Sequence, residues 1–187
     1  AKRLLFACEG RDHQSVMDFA ADLKAHAGDP AQIEHVCQDM SAAYAKGVAL
    51  ALPNAQISYD RFHVIAMANE AMDGVRRQEM STQPQAIKEA LGDNDRKLLK
   101  SLAWGMRRNP GDWSAKQTSA MHWLQRCTLK SARAWRLKMA LRAVYASAAA
   151  GNDREHASKE LKGWLSWARR SRLEPFRKLA KTLSERF

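Results

Sequence analysis

Two short segments decide the fold of this chain: Ile33–Ser41, which reads IEHVCQDMS, and Gln56–His63, which reads QISYDRFH. Ile33–Cys37 and Gln56–Tyr59 are short, partly apolar runs of the kind that forms strands. Between them, apolar residues recur at helical spacing over residues 44–52 until a Pro-Asn pair interrupts the pattern. A strand, a helix and a second strand predict a parallel pair joined by a crossover.

The same alternation extends to both sides of these segments. Arg3–Cys8 is an apolar run ended by Glu-Gly, and it predicts a further buried strand. Apolar residues over Ser15–Leu23 recur at helical spacing, and after Asp60 a long helical pattern reaches about Arg77. Residues 1–78 therefore predict an α/β portion with the element order β-α-β-α-β-α.

From residue 79 onward the strand signals end, and residues 79–187 predict an all-helical region, so that helix dominates the chain. All six tryptophans lie in this region. At helical spacing they indicate a core, with nucleotide stacking as the alternative. The predicted helices are Asp95–Leu102 with Asp93 as its N-cap, Ala115–Arg126, Leu129–Ala149, Glu155–Arg169 and Pro175–Glu185.

The charge is divided unevenly between the two ends of the chain. Residues 1–95 contain 9 Lys+Arg and 14 Asp+Glu, whereas residues 96–187 contain 22 Lys+Arg and 6 Asp+Glu, within a net charge of +11. A basic half of this kind is suited to screening nucleic-acid phosphates, although solvated helix faces carry the same composition.

The compartment follows from what the chain lacks. No apolar run approaches the roughly 20 residues of a membrane span, and the three scattered cysteines include no CxxC pair. These features predict a reducing, cytoplasmic setting without a membrane. Because the chain starts without Met and opens into a strand-like run, we also expect it to be part of something longer.

Acidic residues follow two of the predicted strands. Asp39 ends one strand and Asp60 the next, and His63 lies one helical turn after Asp60. Because the carboxyl ends of parallel strands share one edge, the two carboxylates are placed to hold a hard cation such as Mg²⁺. An aspartate at a strand-to-helix junction is also a routine N-cap, and Ser41 is a further candidate for the cap after Asp39.

Several motifs resemble one family. They are Asp-Met-Ser at residues 39–41, Leu-Pro-Asn-Ala at 52–55, Asp-Arg-Phe-His-Val at 60–64, and the tail WLSWARRSRLEPF at 164–176. Together they resemble the ISL3 family of insertion-sequence transposases. Glu-Gly-Arg at residues 9–11 and Val-Arg-Arg at 75–77 extend the resemblance along the chain.

The resemblance implies an RNase H-like catalytic core in which three acidic residues bind two Mg²⁺ (or Mn²⁺) ions for DNA cleavage and strand transfer. It makes Asp39 the second, metal-binding acid and gives Asp60 and His63 a supporting role. The basic helices would then contact DNA. The residues expected to do so are Arg61, Arg76, Arg77, Arg133, Arg136, Lys138, Arg169 and Arg170.

The resemblance also exposes departures. The first acid and its two strands do not precede Arg3–Cys8, and no Asn-x-x-x-Glu-Gly-x-Asn segment supplies the third acid. We therefore expect an internal fragment of a DDE transposase, inactive alone and marginally stable in its N-terminal part. Two alternatives stay open: a non-catalytic basic DNA-binding module from a truncated or domesticated transposase, and a metal-dependent nuclease.

The expected partners follow from the same family. They are transposon-end and target DNA, with a homodimer in a synaptic complex. The expected location is the bacterial cytoplasm, in association with the nucleoid.

Overall fold

Helices dominate the computed structural model, which describes residues 3–91, 96–150 and 153–186. This confirms the helix-dominated fold class with a small α/β portion. In chain order the elements are α1 (His13–Ala25), β1 (His35–Gln38), α2 (Ala42–Ala51), β2 (Gln56–Tyr59), α3 (Arg61–Thr82), α4 (Pro84–Leu91), α5 (Arg96–Arg107), α6 (Ala115–Arg126), α7 (Lys130–Ala149), α8 (Arg154–Arg170) and α9 (Glu174–Arg186), with 3-10 turns at Pro30–Gln32 and Pro110–Asp112.

The chain divides into two compact units, Ala1–Val64 (unit 1) and Ile65–Phe187 (unit 2). The division falls inside α3, earlier than the boundary between residues 78 and 79 that the sequence predicts. The later part of α3 is joined to unit 2 by side-chain contacts from Asp73 and Glu79. The functional boundary between a catalytic region and a basic region stays a prediction.

Unit 1 contains a two-stranded parallel sheet. β1 pairs with β2 in the register Val36↔Ile57 and Gln38↔Tyr59, which confirms the predicted parallel pairing. Its small core consists of the buried Ala20, Val48 and Leu52, with partly buried apolar residues packed around them. α1 and α2 approach closely at Gly47, where an added Cβ would lie 2.8 Å from the His13 carbonyl oxygen and from the Val16 Cβ.

The predicted strand at Arg3–Cys8 is wrong. These residues form no strand, and the side chains of Leu4 and Leu5 are 86% and 74% exposed. Phe6 holds the segment to α1 instead, because its ring lies 5.9 Å from the ring of Phe19. An apolar run becomes a strand only where another strand takes up its backbone hydrogen bonds, and no described residue does so here.

Unit 2 is a packed set of helices. α5 packs against α6, α7 against α8, and α8 against α9. Fully buried side chains come from several of these helices, and they include Met106, Met121, Leu124, Leu137, Leu141, Phe176 and Leu183. Among the described residues, no helix is long and apolar enough to cross a membrane.

A buried carboxylate links α3 to α7. The side chain of Glu79 is almost fully buried and accepts hydrogen bonds from the backbone amides of Lys130 and Ser131, at 2.6 and 2.8 Å, and from the Ser131 hydroxyl at 2.5 Å. The residue at the N-cap position of α7, Leu129, cannot provide such a cap. Glu79 therefore satisfies amides at the start of α7 that would otherwise be left without acceptors.

The helical predictions agree with the structure to within a few residues at most boundaries. α6 has the predicted bounds, and its start is fixed by a capping box between Ser114 and Gln117. Asp93 and Asp95 lie outside the described residues. Trp135 and Trp164 are buried, as the core interpretation predicts, whereas Trp104 and Trp167 are 50% and 42% exposed.

Candidate functional site

Asp39 directly follows β1, and its carboxylate is held locally. Oδ1 accepts a 2.9 Å hydrogen bond from the amide of Ser41. Ser41 is the N-cap of α2, and its hydroxyl accepts from the amide of Tyr44. Of the two capping candidates, Ser41 thus takes the role. Asp39 Oδ2 accepts no hydrogen bond from the described residues, so one carboxylate oxygen is available to a ligand.

Asp60 directly follows β2 and precedes α3. Its Oδ1 accepts a 2.8 Å hydrogen bond from the amide of Phe62, which is the contact an N-cap makes. Oδ2 lies 4.0 Å from Nε2 of His63, and both side chains are about half exposed. The structure therefore places His63 beside Asp60, and Asp60 already caps the start of α3.

Asp39 and Asp60 lie at the same edge of the sheet, each directly after the last residue of its strand. Gln38 and Tyr59 are register partners, so the two aspartates occupy the next position on each strand. The amide of Asp60 also donates to the carbonyl of Gln38 at 2.8 Å. Within residues 3–91, 96–150 and 153–186, however, no three His, Cys, Asp or Glu side chains come close enough together to hold a metal ion.

This edge fits a hard cation in part. Carboxylate oxygens are the ligands that Mg²⁺ prefers, and the Oδ2 of Asp39 fits that requirement. A complete site needs more oxygen ligands than Asp39 supplies.

Gln38 was missed by the sequence reasoning: its side-chain amide is buried with no partner among the described residues, beside a cavity of about 560 Å³.

Arg76 and Arg77, two of the expected DNA contacts, are joined to a buried acid. Asp73 lies 2.8 Å from Arg76, 3.2 Å from Arg77 and 2.8 Å from Arg107. Burial raises the pKa of Asp73, but the hydrogen bonds and charges of Arg76 and Arg107 outweigh it and hold that pKa below its usual value. One carboxylate therefore offsets part of the positive charge here.

Three other expected contacts, Arg133, Arg136 and Arg170, come together in unit 2. They line a cavity of about 440 Å³, the arginine pocket, whose lining also includes Trp167, Ser171 and Arg172. The sequence reasoning missed Arg172. Its signal was the clustering of basic residues at Arg169-Arg170-Ser171-Arg172. Arg169 and, in unit 1, Arg61 are exposed.

The expectation that Lys138 binds DNA is contradicted. Its side chain is fully buried, and Nζ donates to the carbonyl oxygens of Met106 and Arg107 at 2.5 and 3.4 Å. The ammonium group therefore caps the C-terminal end of α5, where backbone carbonyls lack helical partners. Burial, with the nearby charge of Arg142, lowers the pKa of Lys138 to about 8.

Comparison with known proteins agrees with the motifs at the sheet edge and in the tail. A family model described as a transposase, the ISL3 group of DDE transposases, matches residues 1–187. The chain belongs to the ISL3 transposase family.

Two bacterial transposases support the same assignment. Transposases for insertion sequence element IS1557 from two strains of Mycobacterium tuberculosis are 30% identical to this chain over 193 residues, which cover 95% of it. The chain spans 42% of the length of these relatives. No solved structure matches it.

Proposed function

We propose that this chain is part of the catalytic domain of a DNA transposase, in which Asp39 is one of the acids that bind Mg²⁺ or Mn²⁺. The observation that carries the proposal is the position of Asp39: it follows a parallel strand at the sheet edge it shares with Asp60, and one of its carboxylate oxygens accepts no hydrogen bond from the described part of the chain. Carboxyl edges of parallel strands are where α/β proteins place their sites.

The chemistry assigned to this domain is cleavage of DNA and transfer of its strands. The bound ions would activate an attacking oxygen and stabilise the leaving one. The second carboxylate oxygen of Asp39 would coordinate such an ion. The hydrogen bond that Oδ1 accepts from the Ser41 amide would keep the carboxylate oriented. Asp60 and His63 form the neighbouring pair, which we assign to orienting DNA or the metal-binding acids.

The remaining acids of the site would come from outside residues 1–187. This accords with a chain that spans 42% of its relatives' length and supplies no group of three ligands among its described residues. A two-metal site uses several carboxylates, so the 187-residue chain alone should not cleave DNA.

DNA is the proposed partner of unit 2. Residues 65–187 contain 25 Lys+Arg and 12 Asp+Glu, a net charge of +13, whereas residues 1–64 contain 6 and 8, a net of −2. A positive surface of this size favours DNA phosphates through counterion release. We propose that the bound DNA comprises transposon ends and target DNA. We further propose that two copies of the protein act in a synaptic complex and that the protein is associated with the nucleoid.

Strand cleavage and joining assays test the catalytic role, using a transposase that contains these 187 residues. Asp39→Ala should reduce both reactions to background and leave transposon-end binding intact. Glu34→Ala removes an exposed acid just before β1 and should leave both reactions unchanged. Retained cleavage in the Asp39 variant would contradict the assignment, and Mg²⁺-dependent nicking by the isolated chain, lost in Asp39→Ala, would contradict its inactivity.

A non-catalytic DNA-binding module is the second candidate. The observation that favours it is that unit 2 has its own core and 25 of the 31 Lys and Arg residues, independently of Asp39. Such a module would bind DNA equally well with and without divalent metal and would not need Asp39 for any activity of the intact protein. The cleavage assay with Asp39→Ala therefore separates the two functions.

A further inference from the structure

We infer that the arginine pocket binds an unpaired nucleotide of DNA. The arginines bind its phosphates, and its base stacks against the ring of Trp167. The inference rests on the proposed DNA binding and names the form of DNA that this site takes. The pocket lies at the C-terminal end of α8, with Arg133 and Arg136 contributed by α7.

Backbone carbonyls orient three of the arginines. Arg133 donates to the carbonyl of Ser171 at 3.3 Å, Arg136 to that of Gln125 at 2.8 Å, and Arg170 to that of Ser166 at 3.2 Å. A guanidinium group has five N–H donors, so each side chain keeps donors for a ligand. Their planar geometry matches phosphate oxygens, which favours a phosphorylated ligand.

No carboxylate in the described part of the chain pairs with the arginines of the pocket. None of Arg133, Arg136, Arg170 and Arg172 forms an ion pair with a carboxylate among the described residues, in contrast to the three arginines that share Asp73. The Nε of Arg133 is buried and has no hydrogen-bond partner there. Four like charges around one cavity repel one another, and an anionic ligand removes that repulsion.

Arg172 occupies a strained backbone position. Its φ is 58°, and it directly follows Ser171, the C-cap of α8, at the place where helices commonly have glycine. Ala27 has a similar φ, so the backbone alone assigns no function. Arg172 differs from Ala27 because its side chain lines the pocket, and a strained residue retained at a site is consistent with a functional side chain.

The shape of the pocket selects an unpaired nucleotide. Its volume of about 440 Å³ lies in the range of small-ligand pockets, about 300–1,000 Å³. In a duplex the base faces are stacked inside the helix, whereas an unpaired nucleotide exposes a base face together with its phosphate. Trp167 is 42% exposed on the lining, and arginines combined with an exposed aromatic ring are typical of single-strand binding.

The experiment compares two labelled DNA ligands by fluorescence anisotropy: a blunt duplex and the same duplex with a short single-stranded overhang. The protein should bind the overhang DNA about tenfold more tightly, the scale expected for stacking one base. Arg136→Ala combined with Arg172→Gly should abolish this preference. Trp167→Ala should reduce it and leave the blunt-duplex affinity unchanged.

A control variant removes the same charge elsewhere. Lys162→Ala combined with Lys178→Ala changes two exposed basic residues outside the pocket lining and should lower both affinities equally, so that the tenfold ratio remains. Arg172→Gly alone should not lower the melting temperature, because glycine favours the φ of 58°. It therefore tests the pocket even if the double variant unfolds.

The outcomes separate the pocket from general DNA binding. Failure to bind either DNA would contradict the proposed DNA-binding function as well as the pocket. Two outcomes would contradict the role of the pocket without contradicting DNA binding. One is equal binding of both DNAs by the unaltered protein, and the other is a tenfold ratio that persists in Arg172→Gly and in the double variant. A pocket variant that loses blunt-duplex affinity beyond the control would show that the site holds duplex phosphates instead.

Discussion

Unit 1 and unit 2 differ in the size of their buried cores. Unit 1 buries Ala20, Val48 and Leu52 as a small core beside a two-stranded sheet. Unit 2 buries many large side chains, and its buried Glu79 and Lys138 are hydrogen-bonded. Because a two-stranded sheet alone is marginal, unit 1 should open at a lower free energy than unit 2.

The two units also divide the chemistry that we propose. The acidic sheet edge with Asp39 and Asp60 belongs to the unit with the smaller core, and the arginine pocket belongs to the unit with the larger one. Arg133 and Arg136 each donate a hydrogen bond to a backbone carbonyl, although the Nε of Arg133 has no partner among the described residues. Gln38, next to Asp39, has no partner there for either polar atom of its side chain. The DNA-binding surface should therefore be preorganised, and the metal-binding edge should be completed by further contacts.

The largest effect is expected in unit 2 from Glu79→Ala. The change leaves the amides of Lys130 and Ser131 and the Ser131 hydroxyl without their charged acceptor, which should cost about 3–4 kcal/mol of unfolding free energy. Urea unfolding followed by tryptophan fluorescence measures it, since all six tryptophans lie in unit 2. Glu70→Ala, at an exposed position of the same helix, is the control, and an equal loss there would contradict the capping role.

A glycine pair tests whether the two units unfold separately. Gly47→Ala inserts a methyl group against the His13 carbonyl and Val16, and it should destabilise unit 1 by about 2 kcal/mol. Amide hydrogen exchange in α1 and α2 should accelerate accordingly, while the tryptophan unfolding transition of unit 2 stays in place. A transition that shifts by the same amount would show that the units unfold as one.

Gly163→Ala is the matched control in unit 2. Apart from its chain neighbours and the backbone of α8 itself, no atom of the described residues lies within 4 Å of a Cβ added at Gly163, and α8 continues on both sides of it. Because alanine favours a helix interior over glycine, this variant should raise the stability of unit 2 by about 0.5–1 kcal/mol.

The buried Lys138 should give unit 2 a pH-dependent stability. Its pKa is about 8 when folded and returns to about 10.5 on unfolding, so between these values the unfolded chain binds more protons. Stability should therefore rise with pH, by about 1–2 kcal/mol from pH 7.5 to 9.5, and no such rise is expected below the folded pKa. Lys138→Met should remove the rise in urea titrations, and a rise that persists would assign it to another group.

The sequence could predict those elements whose limits are set by local chemistry. Both β2 and α6 have the predicted bounds, because Pro53-Asn54 and Asp60 bracket the strand and the Ser114–Gln117 capping box starts the helix. The strand predicted at Arg3–Cys8 failed because pairing depends on a neighbouring strand, which local hydrophobicity does not reveal.

The site was predictable in part for the same reason. Strand order places Asp39 and Asp60 at one edge, but the free oxygen of Asp39 and the cap formed by Asp60 depend on the turns that follow. Lys138 was misassigned because its charge indicated exposure. Its helical neighbours Ala134 and Leu141 lie on the buried face of α7, and that spacing could have placed Lys138 inside.

Only a small effect on stability is expected for Asp39→Ala. The change removes a single hydrogen bond, to the Ser41 amide, at a partly exposed position, and it should cost at most about 1 kcal/mol. Hydrogen exchange in α2 measures this cost. A much larger loss would mean that Asp39 is retained for structure rather than for metal binding.

Mn²⁺ titration followed by NMR, in a transposase that contains these 187 residues, tests the central claim, the metal-binding role of Asp39, most directly. Paramagnetic broadening should appear first at the amides of residues 39–41 and 60–62, the edge where β1 and β2 end, and Asp39→Ala should abolish it without altering DNA binding by unit 2. Broadening centred on other acidic residues, or unchanged in Asp39→Ala, would contradict the assignment of Asp39 as the metal-binding acid.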